Sequence, residues 1–302
     1  MAFGKGNQST EAGVRKLYAG IGSFYVKGIN LNKKELGEVF GSERDEEPSY
    51  LGERDVNGVK YPQVRIDVVI ATEPKDCGGI EKTFIMPFFI TKRNVVGSNS
   101  GKIQVIDIYG RTQWVTQQQL ANHDIPTSEK TGLPLNIDAD YRPLYDGEEA
   151  LTLFLKNYLN IPSVEKWKDR QVVGLIDNPS DAEARLQCIE DYFKGDFSEL
   201  KEIATYQPNN KFKVMLGVRT NDDNKQYQAF FTEMTLKNSI SDYTKLAARL
   251  AERKNAGAYS NSDFEVAELH EYENTPSAVP SAPTSVTPGN TAAPAVNPWF
   301  KK

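Results

Sequence analysis

The chain has 302 residues, 39% of them hydrophobic, a net charge of −5, and two cysteines, Cys77 and Cys188. No run reaches the ~20 apolar residues that a membrane span needs, and Met1 to Gly6 lacks the apolar stretch of a signal peptide. The cysteines and the two histidines, His123 and His270, are too scattered for a disulfide scaffold or for the close ligand pairs of a zinc module, so a protein of a reducing cytoplasm with no membrane partner is expected.

Residues 1–16 are rich in Gly, Ser and Gln and read as a flexible arm. Leu17 to Val26 reads as a strand whose glycines mark a bulge or a close backbone approach. Lys33 to Phe40 is a short helix, capped by Asn32 and stopped by Gly41. Val64, Ile66, Val68 and Ile70 alternate with Arg65 and Asp67, the period of a half-buried strand. Glu81 to Thr91 is a second strand, and Pro87 places it at an edge or a bulge. Lys102 to Tyr109 is a third, reached through a Gly-containing hairpin loop at Asn94 to Gly101, so the sheet is antiparallel.

From Glu148 the period changes. Leu151, Phe154, Leu155, Tyr158 and Leu159 define an amphipathic helix. The Asp146-to-Glu149 spacing predicts a capping box at its start. Asp181 to Phe193 and Ser198 to Tyr206 are further helices. Lys211 to Arg219 and Gln226 to Met234 are strands joined across Asn221 to Asn224, and Ser241 to Arg253 is a last helix burying Tyr243, Leu246 and Leu250. Strict β-α-β alternation is absent, which excludes a doubly wound parallel sheet. The class is therefore α+β, mainly antiparallel β: a barrel over residues 17–256, with a helical insertion at about 138–207. Residues 257–302 read as a disordered tail, first acidic, then built from Pro, Ser, Thr and Ala, with an aromatic tip at Trp299 and Phe300.

Charge is distributed unevenly. Gly58 to Val115 holds eight Lys or Arg against five acids, whereas Asp138 to Thr205 holds fifteen acids against eight cations. The overall negative charge thus hides basic segments able to meet a phosphate backbone.

No nucleophile elbow, P-loop or dinucleotide fingerprint is present, since Gly20-Ile21-Gly22 lacks the third glycine and the following helix. Asp138 and Asp140 could hold a metal, though an Asx-rich loop accounts for them as well. A binding protein rather than an enzyme is expected, without cofactor or metal.

The positive signal is cations interleaved with aromatics: Tyr61, Arg65, Lys82, Lys92, Arg93, Lys102, Tyr109, Arg111 and Trp114, with Lys213 from the later hairpin. Single-stranded nucleic acid needs cations for its phosphates and flat rings for its unstacked bases, each ring supplying roughly 1–3 kcal/mol. Phe84, Phe88 and Phe89 lie in the same region and read as core. In the tail, Trp299 and Phe300 at the end of a low-complexity linker form a docking element for a partner protein.

Leu17-Tyr18-Ala19-Gly20-Ile21, then Ile29 to Leu36, Phe89-Ile90-Thr91, Gly101 to Asp107, Gly110 to Trp114, and Tyr141-Arg142-Pro143 before Gly147-Glu148-Glu149 together resemble the single-stranded DNA-binding proteins of large tailed phages, including those of crAss-like phages. The resemblance spans roughly Leu17 to Leu236. It implies an OB-like barrel, duty in phage DNA replication, recombination or repair in the cytoplasm of a bacterial host, and a tail that recruits replication or recombination proteins. The sequence departs from that pattern in lacking a zinc ribbon and in ending on Lys301-Lys302 after its aromatic pair. The competing expectation is a phage structural or adaptor protein that binds protein partners rather than DNA.

Overall fold

The computed structural model describes residues 16–77, 79–107, 112–122, 141–159, 182–206, 210–239, 243–257, 259 and 261–272. Tyr109, Arg111, Asp138, Asp140, Trp299 and Phe300 lie outside the described residues.

The first strand, β1 (Tyr18–Ile29), needs glycine where the backbone of a later segment comes close. Gly20 has φ 103°, and a side chain there would strike the carbonyl of Glu268. Asn30 (φ 47°) turns the chain off the strand, while its backbone N donates to the Asp67 carbonyl (2.9 Å) and its Oδ1 accepts from the Asp67 amide (2.7 Å). Helix α1 (Lys33–Phe40) then opens on a capping box: Asn32 Oδ1 accepts from the Glu35 amide, and Glu35 Oε2 accepts from the Asn32 amide. Gly41, left-handed at φ 66°, closes it.

Strands β2 (Leu51–Val56) and β3 (Val59–Thr72) form a hairpin across Asn57-Gly58. Both turn residues have positive φ, as a two-residue turn matched to strand twist requires. One edge of β3 is shared, by β1 against Val68–Thr72 and by β2 against Val59–Val64. The other edge takes β4 (Thr83–Asn94), from Ala71↔Thr83 to Gln63↔Thr91. Pro87 faces Asp67, and the far edge of β4 is paired only at Thr91 and Asn94, so the missing proline donor costs no ladder bond.

The strand expected after Gly101 does not extend that sheet. β5 (Ile103–Asp107), β6 (Thr112–Val115) and β7 (Tyr141–Pro143) form a separate three-stranded sheet in the order β6-β5-β7. The loop before β5 still turns as a hairpin, with the Gly97 amide bonded to the Lys102 carbonyl (2.9 Å). α2 (Gln117–Asn122) follows β6, and β8 (Tyr145–Asp146) returns to β4.

α3 (Glu148–Tyr158), α4 (Ala182–Lys194) and α5 (Ser198–Tyr206) come next. β9 (Lys211–Thr220), β10 (Gln226–Phe230) and β11 (Leu236–Lys237) lead to α6 (Thr244–Asn255), then β12 (Ser262–Phe264) and β13 (His270–Glu271). Among the described residues the larger sheet has ten strands in the order β10-β9-β1-β3-β4-β8, with β11 and β12 on β9, β13 on β1 and β2 on β3. Its ladders are antiparallel, and it curls into a half-barrel.

The helices of the expected insertion supply the core rather than decorating it. Leu151, Phe154, Leu155 and Tyr158 of α3 and Ile189 and Tyr192 of α4 bury against Val64, Ile66, Val68 and Ile70 of β3 and Phe84, Met86, Phe88 and Ile90 of β4. Phe154 packs against Phe88 (5.3 Å) and Phe212 (5.0 Å). A second cluster, Ile21, Met215, Phe231 and Met234, lies under Leu246 and Leu250 of α6.

Two expectations are corrected. No capping box forms at Asp146–Glu149, because the N-cap of α3 is Gly147 (φ 91°), packed on the Phe89 carbonyl. Glu148 is instead fully buried, bound to Arg142 and accepting from the Tyr145 amide (3.2 Å). The body also does not stop at residue 256. β12 pairs with β9 and β13 with β1, and the Tyr272 amide bonds to the Leu17 carbonyl (2.8 Å). The acids there are used structurally: Glu271 binds Lys16 and Glu265 faces His270.

Candidate nucleic-acid surface

Even-numbered residues of β3 and β4 point into the core beneath α3 and α4, so by strand alternation their odd-numbered residues share the opposite face. Across that face the register sets Arg54 opposite Tyr61. Extending the Gln63↔Thr91 pairing by two residues puts Arg93 beside Tyr61, and the Arg93 guanidinium lies 5.9 Å from the Tyr61 ring centre. This is a cation–aromatic–cation row over three strands. One row on, Gln63 and Thr91 bond each other (3.0 Å) below the surface. The next row pairs Arg65 with Phe89.

Phe89 differs from the expectation that it is core: it is 41% exposed, whereas Phe84 and Phe88 are buried. Its odd position on β4 turns it away from the helices. Arg65 is largely buried and bonds Asp67 through Nε (2.6 Å). Burial pushes the Asp67 carboxyl above its ordinary value, against the opposing pull of Arg65.

The other expected residues fall elsewhere. Lys92 is even-numbered and sits on the helix side, bound to Glu190 of α4 and 5.7 Å from the Phe193 ring. Burial works against ionisation of Glu190, but Lys92 and the Tyr145 hydroxyl together hold its carboxyl below the usual value. Lys82 precedes the opposite end of β4, about 35 Å from Arg93 at roughly 3.3 Å per residue, where it lines a cleft with Lys16, Tyr18 and Gln228. Trp114 belongs to the smaller sheet and Lys102 lies in the loop just before its strand β5; Trp114 is 43% exposed and lies over Gly97, where an added Cβ would sit 3.3 Å from its ring. Lys213 is on β9, 5.5 Å from the Tyr243 ring. The structure thus sets Arg93 against Tyr61, places Arg65 two rows away on the same face, and disperses the other described candidates.

Sequence reasoning missed Arg54 and a second group on β1 and β9. In that group Lys27 lies 4.9 Å from the Tyr25 ring and pairs with Glu81 (3.0 Å), and Lys211, opposite Tyr25, pairs with Glu73. Bonds from Lys211 and Lys75 hold the Glu73 carboxyl at about 2. The signal for Arg54 was present in Asn57-Gly58, the commonest hairpin dipeptide, which fixes residues 51–56 against 59–64. Chemically, the surface offers flat rings and guanidinium groups, with most of the cations already facing carboxylates. Among the described residues no group of three or more His, Cys, Asp or Glu is placed to hold a metal, and no helix is long and apolar enough to cross a membrane.

No protein-family model, curated protein or solved structure matches the chain.

Proposed function

We propose that this chain binds single-stranded DNA without sequence preference, as a non-enzymatic component of phage DNA replication, recombination or repair in the host cytoplasm. In this reading Trp299 and Phe300 recruit partner proteins. The observation that supports it is the row Arg54–Tyr61–Arg93, with exposed Phe89 two rows further along the same face. A base stacks on an aromatic ring whatever its identity, and the flanking guanidinium groups meet the phosphates on either side. Trp114 on the smaller sheet, with Lys102 just before β5, would extend the path.

Fluorescence titration with labelled oligo-dT tests the reading. Binding is expected at about 50 mM salt, with log K falling by about 0.7 per phosphate contact for each unit of log salt. Tyr61→Ala should weaken it by roughly 1–3 kcal/mol, the value of one stacked base. Absence of binding at low salt overturns the proposal.

The adaptor reading draws support from a different observation. Arg54, Arg65, Lys27, Lys92 and Lys211 each already face a carboxylate. A surface of interleaved charges suits a protein partner as well as a polyanion. Light scattering that shows stable self-association, without oligonucleotide affinity, would select it.

A further inference from the structure

Arg54 and Asp146 belong to strands that do not touch: β2 pairs with β3, β8 with β4, and β3 with β4. Their ion pair (Nη1–Oδ2, 3.0 Å) therefore crosses two intervening strands. It does so on the face that carries Tyr61, Arg93 and Phe89, since Arg54 faces Tyr61 and Asp146 faces Thr91. The row beneath consists of Gly52, Gln63, Thr91 and Asp146. Gly52 contributes no side chain to it, and Gln63 and Thr91 are buried and bonded to each other. Asp146 is placed by its neighbour Gly147, which packs against the Phe89 carbonyl and starts α3.

We propose that the Arg54–Asp146 pair is a strap across the nucleic-acid surface. Asp146 holds the guanidinium where a phosphate would lie, and single-stranded DNA binds by exchange, a phosphate oxygen replacing the carboxylate on Arg54. The inference rests on the single-stranded DNA reading. The pair suits an exchangeable role because its side chains are 50% and 38% exposed, and pairs so exposed are weak and screened by salt. The pair is joined by one bond, Nη1 to Oδ2, whereas a phosphate can take the guanidinium fork with two. The buried Arg142–Glu148 pair, only two residues further along from Asp146, has no such access.

The test is oligo-dT titration of the full chain and of three variants: Asp146→Asn, Glu53→Gln and Arg54→Met, with the double variant D146N/R54M. Glu53 neighbours Arg54 in the chain, points to the other face of β2 and pairs with Lys60, so Glu53→Gln removes the same charge without touching the strap. D146N should tighten binding by about two- to fivefold, the range of one exposed pair. Glu53→Gln should leave affinity unchanged, and the gain should vanish in D146N/R54M. Asp146→Ser serves as a second variant if Asp146→Asn unfolds, checked by thermal melting. If the wild type binds but D146N does not bind more tightly, the strap is overturned and the DNA reading stands. Equal tightening by D146N and E53Q, or a gain that survives R54M, also overturns the strap. A wild type that does not bind overturns both.

Discussion

Replacing Arg142 by Met should destabilise the body severely. The Arg142 and Glu148 side chains are 3% and 0% exposed, and Arg142 Nη1 lies 3.1 Å from Glu148 Oε2. The substitution leaves a carboxylate with no solvent and a single remaining donor, the Tyr145 amide. Removing one partner of a buried pair costs about 3–5 kcal/mol, because the other charge stays desolvated. For a body of this size, each kcal/mol lowers Tm by about 2–4 °C. The companion variant R142M/E148L removes both charges together, and such apolar replacements are commonly neutral or stabilising. Urea denaturation followed by circular dichroism should therefore rank wild type and double variant together, well above the single variant. If the single variant loses less than about 1 kcal/mol, or the double variant is as unstable as the single one, Glu148 is not held as described.

Gly147→Ala should cost at least about 3 kcal/mol, by the strain of a left-handed alanine and its collision with the Phe89 carbonyl; the same denaturation assay reads it. Asn32→Ala should cost about 1 kcal/mol by loss of the α1 capping box, with hydrogen exchange faster in the first turn of that helix alone. Glu73 should titrate near 2 by carboxyl NMR, and Lys211→Met should move it back toward 4.5. Because its folded value lies below its unfolded one, its contribution is fully present above 4.5 and fades as pH falls toward 2. Cys188, whose thiol is pushed up to about 12 by burial and by Glu199, should resist alkylation at pH 8 in a native Cys77→Ser protein and react once unfolded.

How much could be read in the sequence depended on the range of the interactions involved. The ends of α1 were legible because Asn32, Glu35 and Gly41 act within one helix. The β3 face was legible because Val64, Ile66, Val68 and Ile70 alternate. The start of α3 was misread because Asp146 has the right spacing for a cap, yet the N-cap falls one residue later, at Gly147, whose close approach to the Phe89 carbonyl is a contact with β4 that no local spacing records. Residues 262–271 look like tail because their apolar residues are few and set among acids, so that Phe264 packing on Phe231 and Leu269 entering the main core follow only from the backbone pairings with β9 and β1. The site was half visible. Aromatic and basic residues could be named along β3 and β4, but which of them share a face follows from register, and the spread of Lys82, Lys102 and Lys213 follows from pairings no local signal records.

The bond between the Tyr272 amide and the Leu17 carbonyl also fixes how the body meets mechanical load. Its two ends lie side by side on β13 and β1, in antiparallel register from Tyr18↔Glu271. Tension applied between Lys16 and Tyr272 thus acts across the ladder instead of along it, opening the bonds one after another like a zip. Strands loaded in that direction yield at low force, so a motor pulling on both ends would peel β13 away before disturbing the core beneath α3 and α4.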